Sequence, residues 1–398
     1  MTPSARAQAA IDILDLVIVA ARDAGPAADT VITNYFATRR YAGSGDRRAV
    51  RELVYAAIRR AGERPVSGRA ALLGLAGERD DVAALFDGVG HGPAAASIDE
   101  ERAVSGVAPA WLLKRLPVTL DEAERAALLG RAPLDVRVNR LKADVTLVAV
   151  EFPGAEPTPH APFGLRLPEG TRVQDTPAYR EGRIEVQDAG SQLIGLACAA
   201  APGMVVVDLC AGAGGKSLAL AADMGGPGVD GEGRLIACDT DRGRLSRLPP
   251  RALRAGAVVE TRLLDPEREF EALADVAGQA DLVLVDAPCS GTGTWRRNPE
   301  ARWRLTPDRL SRLTRLQARL LDLAGALVRP GGHLVYAVCS LLHEEGAAQA
   351  DAFLSRHTGW GSEELPVEAG RRQGAGRVLT PLHDGTDGFF VARLKAPC

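Results

Sequence analysis

Asp281-Leu-Val-Leu-Val-Asp-Ala-Pro-Cys-Ser-Gly-Thr-Gly293 is the stretch on which the reading of this chain turns. The apolar run 282–285 is cut off by Asp286 and Pro288, the pattern of a fully buried strand that ends at a tight polar turn. Open α/β sheets place their chemistry at strand ends of this kind. The turn carries a carboxylate, a thiol, a hydroxyl and two glycines, more reactive groups than a structural loop requires. The plainer alternative is a Gly/Ser-rich loop around a small buried cysteine, since free cysteine is among the most often buried residue types.

Outward from this turn the pattern repeats. From Ile184 onward, apolar strand candidates (205–209, 234–238, 282–285, 333–338) alternate with helical stretches (218–224, 310–328), which predicts a parallel sheet flanked by helices. Residues 225–233 read as a flexible insertion within it. Upstream, 133–187 breaks into short β-like pieces such as Val136-Arg137-Val138-Asn139, separated by Pro- and Gly-rich turns. Residues 5–129 are helical in pattern, with apolar residues at three and four spacings in Ala9, Ile13, Leu16 and Val17 and again in Val50, Leu53, Val54 and Ile58. Asp46 is the expected N-cap of a helix from Arg47 that carries Tyr55 inward. Arginines 6, 39, 40, 47, 48, 51, 59 and 60 offer basic faces on these helices, a solvated surface being the plainer reading. Three domains are expected: an all-α bundle over 1–130, a small linking subdomain over 131–187, and an α/β domain over 188–398.

The composition agrees. A chain of 398 residues exceeds what one hydrophobic core supports, and 46% apolar with 25% charged residues fits a globular enzyme. With a net charge of -3, any nucleic-acid role must rest on local patches. Cysteines 198, 210, 238, 289, 339 and 398 include no Cys-x-x-Cys and no paired histidine spacing, so no metal site is expected. The apolar run 14–21 is interrupted by Asp15, lacks the form of a signal peptide and is too short to span a membrane. A reducing, cytoplasmic setting follows, in which free thiols can act as nucleophiles.

After Val205-Val-Val-Asp-Leu209 comes Cys210-Ala211-Gly212-Ala213-Gly214-Gly215-Lys216-Ser217, then a helix. Glycines at a strand-to-helix turn let the backbone approach a ligand. A Walker loop fails because Cys210 stands where its first glycine belongs, and the glycine spacing is not that of a dinucleotide fingerprint. Asp239 closes the next strand where an acidic side chain can accept from a ribose diol, and Asp265 closes a third where it could accept an adenine amino proton. In this order the features suggest S-adenosylmethionine. Cys339 ends a further strand, so two thiols stand at two strand ends. Carbon 5 of a pyrimidine is poorly nucleophilic until something adds to C6, and a thiolate is a suitable addend. Asp286 could hydrogen-bond the N3/N4 edge of cytosine.

These residues resemble the Fmu/Sun (NOL/NOP-type) family of RNA cytosine-5 methyltransferases, especially members with an N-terminal NusB-like domain. The most specific motifs are Asp286-Ala-Pro-Cys289-Ser-Gly-Thr-Gly293, 336–340 followed by Glu344-Glu345, and Thr386-Asp-Gly-Phe-Phe390; Arg297-Asn-Pro-Glu-Ala-Arg-Trp303, Arg137-Val-Asn139 and Val186-Gln-Asp188 add to them. The resemblance implies a Rossmann-like class I methyltransferase domain behind a NusB-like RNA-binding bundle. It implies transfer of a methyl group from S-adenosylmethionine to C5 of a cytosine in RNA, with small-subunit (16S) ribosomal RNA or a pre-ribosomal particle as partner and the chain a monomer. Cys339 would be the nucleophile at C6 and Cys289 would assist proton removal and enzyme release. Asp286 would contact both cytosine and cofactor, Asp239 the ribose, Asp265 the adenine edge, and Cys210 to Lys216 the methionine end.

Three positions depart from the family pattern: Gly212-Ala213 replaces Ala-Pro in the cofactor loop, Val338 replaces Thr, and Gly346 replaces Asn. None removes a group the chemistry requires. Arg296, Arg297, Arg302 and Arg304, interleaved with Trp295 and Trp303, follow the reactive turn and are expected to pair with phosphates and stack on bases. The target cytosine would have to be unstacked. Two rivals remain: an amino-group methyltransferase, which would ordinarily carry Asn/Asp-Pro-Pro-Tyr/Phe at Asp286 to Cys289, and an RNA-binding or assembly factor with little or no methyltransferase activity.

Overall fold

A computed structural model of the chain describes residues 1–23, 25–225 and 233–398. The insertion expected over 225–233 therefore lies, over 226–232, outside the described residues. The chain divides into two compact units, 1–131 with 294–307 and 132–293 with 308–398. The sequence-based boundaries differ in two ways: the small subdomain clusters with the α/β domain, and fourteen residues after the reactive turn, 294–307, belong to the helical unit.

In the helical unit, α1 (Pro3–Arg22) starts where Thr2 accepts from Ala5 N at 3.2 Å and Pro3 fills the first turn. Its Ala7, Ala10, Ile13, Leu14 and Val17 are fully buried at helical spacing. α2 (Ala28–Ala37), α3 (Ser44–Arg60) and α4 (Gly68–Ala76) pack around it. Gly68 makes the α4 crossing possible, because a Cβ there would stand 2.2 Å from Ile11 O. α3 begins three residues before the expected start. Asp46 lies inside its first turn and reaches back to Gly43 N at 3.1 Å instead of forming the cap itself. Tyr55 is partly buried and donates to Asp29.

The second unit holds two sheets. Strands β1 (Leu134–Val138), β2 (Glu156–Pro157), β3 (Gly164–Leu167) and β4 (Ile184–Val186) form a small antiparallel sheet in the order β2-β3-β1-β4. The larger sheet contains β5 (Val205–Asp208), β6 (Arg234–Asp239), β7 (Glu260–Leu263), β8 (Ala280–Asp286) and β9 (Val328–Val338), all parallel, in the order β9-β8-β5-β6-β7. Beyond β9 the expected parallel sheet turns antiparallel. β10 (Gly361–Glu363), β11 (Arg371–Gln373), β12 (Gly376–Leu379) and β13 (Phe389–Lys395) complete it, with β13 pairing β9 from Phe390↔Val338 to Lys395↔His333. The sheet is thus mixed, with β8 at its centre. Leu282, Val283, Leu284 and Val285 are at most 1% exposed, which is why that strand needed an unbroken apolar run.

Helix α5 (Ala189–Cys198) is capped by Asp188, which accepts from Gly190 N at 2.8 Å. α6 (Gly215–Asp223) follows β5, α7 (Pro307–Leu327) leads into β9, and α8 (Ala347–Arg356) follows the second thiol turn. The small sheet is tied to the larger one by Asn139, whose Nδ2 donates to Gly182 O and Ala255 O at 2.8 Å each. Among the described residues no helix is long and apolar enough to cross a membrane.

Candidate active site

The strand order fixes where a ligand can sit. From β5 the chain adds β6 and β7 on one side and then β8 and β9 on the other, so β5 and β8 flank a topological switch point. The crevice beyond the carboxyl ends at such a point is the ligand site of open α/β sheets. Lys216, from the first turn of α6, spans it and donates to Asp286 Oδ2 at 2.7 Å. Burial alone would lower the Lys216 pKa, but the adjacent Asp286 carboxylate more than offsets this and raises it, so the ammonium persists at neutral pH.

On the β5 side the loop from Cys210 to Lys216 is held by its backbone. Ala211 N donates to Cys238 O at 2.8 Å, and Gly212 N donates to Asp239 Oδ2 at 2.7 Å. Asp239 Oδ1 accepts from Asp241 N at 2.7 Å, so its carboxylate is fixed at the end of β6. Gly214 has φ +84°, and a Cβ there would stand 2.1 Å from Leu248 Cδ1. In this loop, where the family's proline is absent, Arg251 donates through Nη1 to Ala213 O and through Nη2 to Glu185 Oε2 at 2.9 Å. A side-chain tether therefore holds a turn that no proline ring fixes. Asp265 lies two residues beyond β7 with its side chain 69% exposed, beside Arg268 at 3.8 Å.

Sequence reasoning passed over Asp208, the last residue of β5. It is fully buried, its Oδ2 accepts from Ser217 Oγ at 2.6 Å, and its Oδ1 has no partner among the described residues. Burial pushes its pKa up to about 7, against the hydrogen bond from Ser217 and with the help of the Asp286 charge. A strand-terminal Asp followed by a Gly-rich loop was the available signal.

The two thiols meet. Cys289 follows β8 and Cys339 follows β9, neighbouring parallel strands, and their Sγ atoms are 3.3 Å apart. Ala287 N to Ala337 O at 2.9 Å and Gly293 N to Cys339 O at 3.1 Å hold the turns side by side. The hydrogen bond with Cys339, reinforced by burial, holds the Cys289 thiol well above its ordinary pKa. Of the other cysteines, Cys198 and Cys238 are buried in the core and Cys398 is exposed at the C-terminus.

Glu345, noticed in sequence only as part of Glu344-Glu345, has no exposed surface. Its Oε1 accepts from Ser290 N at 2.9 Å and from Gln317 Nε2 at 3.0 Å, and its Oε2 from Ser340 Oγ at 2.6 Å and from Ser290 Oγ. Gln317 also donates to Pro288 O at 2.9 Å. Nothing in local sequence marked Gln317, which reads as one more polar residue of a long helix.

The expected RNA contacts are corrected in part. Arg296, Arg302 and Trp303 are 6%, 0% and 3% exposed, and Trp295 is fully buried. Arg302 Nη2 donates to the carbonyls of Ile58, Arg59 and Ala61 at 2.6, 3.0 and 2.8 Å, and Trp303 Nε1 also reaches Ala61 O at 3.2 Å. They cap and pack the end of α3 because a helix C-terminus presents unsatisfied carbonyls and partial negative charge. Arg304 is similarly engaged with Gly25 O at 2.6 Å and with Pro26 O. Arg297 keeps partial exposure.

A parallel core with its switch point at β5/β8, closed by the antiparallel β13, is a Rossmann-like methyltransferase fold. The solved structure of the protein PH0851 shares the fold with a TM-score of 0.76 at 23% identity, covering 98% of each chain. A methyltransferase homologue from Pyrococcus horikoshii matches with a TM-score of 0.61 at 27% identity, over 72% of this chain and 94% of that one. The particular family follows from sequence comparison. The family model described as 16S rRNA methyltransferase RsmB/F matches residues 196–395, half of the chain, and the chain belongs to that family. Ribosomal RNA small subunit methyltransferase B of Escherichia coli O6:K15:H31 is 34% identical over 293 residues, and the probable counterpart of Synechocystis sp. is 34% identical over 303. Each match takes in 72% of this chain but 66% of the relative, so the chain spans just under two thirds of their length. The family resemblance read from the motifs is thereby borne out.

Proposed function

We propose that this protein transfers a methyl group to C5 of a cytosine in RNA, with small-subunit ribosomal RNA as substrate class and S-adenosylmethionine as donor. The observation that carries this is the thiol pair: two free sulfurs 3.3 Å apart at adjacent strand ends, beside Asp286 and Lys216. The residues around the crevice fit the donor. Gly215 leaves open space beside its backbone, Asp239 would take the diol, and Asp208 and Asp286 would supply acidic groups near a sulfonium. When bound, that group would supply the electrophilic methyl.

The chain's own residues divide the remaining work. Cys339 adds to C6, and Asp286, steadied by Lys216, hydrogen-bonds the N3/N4 edge of the base as charge develops there. The largest cause of Cys289's raised pKa is its hydrogen bond with Cys339. Once the Cys339 sulfur is committed to carbon that restraint weakens, so Cys289 can release its proton to solvent and, as the thiolate, take the C5 proton. Elimination then frees Cys339. The helical unit serves as a NusB-like RNA-binding domain, with exposed Arg40, Arg47 and Arg48 as phosphate contacts, and partly exposed Arg297 adds another.

The test uses small-subunit rRNA transcripts and labelled S-adenosylmethionine. Cys339→Ala should abolish transfer to C5, while Cys289→Ala should accumulate RNA covalently bound to the protein. Normal turnover by Cys289→Ala without trapped RNA would sink the two-thiol assignment, and a mark on N4 would replace it with amino-group chemistry.

A further inference from the structure

Glu345 touches neither sulfur, yet its carboxylate is the point to which both thiol turns are fastened. Ser290 follows Cys289 and Ser340 follows Cys339, and both hydroxyls end on Glu345 Oε2. The Ser290 amide and Gln317 occupy Oε1. The two hydroxyls also meet each other at 3.2 Å, and Thr292 Oγ1 lies 3.1 Å from Ser340 Oγ while accepting from Leu341 N at 2.9 Å. Tyr336, in β9, donates its hydroxyl to the Glu345 backbone carbonyl at 2.5 Å, which fixes where the side chain starts. All four donors converge on one buried carboxylate, an arrangement that only an acceptor of this capacity satisfies.

We propose that Glu345 is the positioning residue that sets the separation of the two thiols, holding Cys289 within reach of the C5 proton while Cys339 is bonded to the neighbouring C6. This rests on the methyltransferase reading for its catalytic meaning, although the geometry it asserts belongs to the protein alone. Gln at this position keeps the volume but loses the charge: with its NH2 toward Ser290 N and Gln317 Nε2 donor meets donor, and with its NH2 toward the two hydroxyls both must turn to accept and give up their charge-assisted bonds. The turns then separate, and loss of alignment by about 1 Å costs on the order of 10²-fold in rate. Substrate binding, which does not use Glu345, is left intact.

Two measurements on full-length Glu345→Gln decide the matter. The first is the rate at which diamide closes the Cys289–Cys339 disulfide in the absence of RNA. The diazene takes up the two thiol protons and two electrons and is reduced to its hydrazine. The second is methyl transfer to rRNA, resolved into kcat and KM. The proposal expects disulfide closure to slow by about tenfold or more and kcat to fall about 10²-fold with KM for RNA unchanged. Wild-type closure and wild-type kcat in a folded variant would overturn it, as would a change confined to KM. Should Glu345→Gln fail to fold, Ser290→Ala, at a partly exposed turn position, must slow closure, and an unchanged rate would overturn the proposal equally. If the wild-type protein transfers no methyl group, the functional reading falls while the closure rates still judge Glu345.

Discussion

Arg302→Met separates an architectural arginine from an RNA-binding one. The wild-type guanidinium has no exposed surface and serves three carbonyls at the end of α3 through Nη2. In the variant Ala61 O keeps Trp303 Nε1, so the carbonyls of Ile58 and Arg59 are left without this donor. Each buried acceptor so orphaned costs roughly 1–3 kcal/mol. Against this stands relief from burying a charge that has drawn the Arg302 pKa down to about 9, with Nε and Nη1 finding no acceptor among the described residues. The methionine also replaces part of the lost packing. The balance is a destabilisation of about 3 kcal/mol, a large share of the ~5–15 kcal/mol that holds a domain folded. Urea denaturation followed by tryptophan fluorescence reads it directly, because Trp303 lies in the same core. RNA affinity of the variant that remains folded should keep the wild-type salt dependence. A wild-type denaturation midpoint together with weaker RNA binding and a salt slope shallower by about one contact would refute the reasoning and restore the phosphate-contact reading.

Asp208 makes stability depend on pH. Its native pKa of about 7 lies above the ordinary 3.8, so the native state holds a proton that the unfolded chain releases, and stability present below 3.8 is lost as pH rises to about 7. The difference in unfolding free energy between wild type and Asp208→Asn should therefore fall by roughly 1.4 kcal/mol per pH unit across that window and flatten above it; a difference flat throughout would show the carboxyl ionised in the fold. Lys216→Met leaves Asp286 without its cation and should lower single-turnover methyl transfer by about 10²-fold, with Lys216→Arg failing to restore it because a planar fork cannot occupy the place of a point charge. Full activity in Lys216→Met would remove the ion pair from the mechanism.

What the sequence shows and what it hides follow from how far each determinant lies along the chain. The β8 strand is legible because burial on both faces demands an unbroken apolar run, and the turn after it because Asp, Pro, Cys and Gly stand together. The Gly-rich loop after β5 is legible for the same local reason, down to Lys216, whose partner Asp286 is 70 residues away but occupies the other obvious strand end. The antiparallel closure by β13 was missed because β13 takes its meaning from pairing with β9, not from its own pattern. Arg302 is the clearer failure. Arginine is ordinarily exposed, and an arginine beside a reactive turn invites a phosphate. What buries it is the end of a helix more than 240 residues earlier, whose carbonyls no local pattern could place.

The same distinction explains why the reactive turn is not self-sufficient. Asp286, Cys289 and Cys339 can be read singly, but their chemistry depends on a separation that neither turn sets by itself. Local sequence provides each sulfur with a strand end and an adjacent serine. Beyond the backbone bonds that pair the turns, the separation is set by Glu345, five residues after Ser340 yet 55 after Ser290, and by Gln317 in a helix between them. A carboxylate with no exposed surface is costly to bury without full partnership, and here each of the donors to Glu345 belongs to a thiol turn or to the helix behind it. In this site the thiols and the strand-end carboxylate were legible because chemistry of the proposed kind restricts its groups to few residue types, and the group that spaces them was not, because any well-satisfied buried acceptor looks alike in sequence.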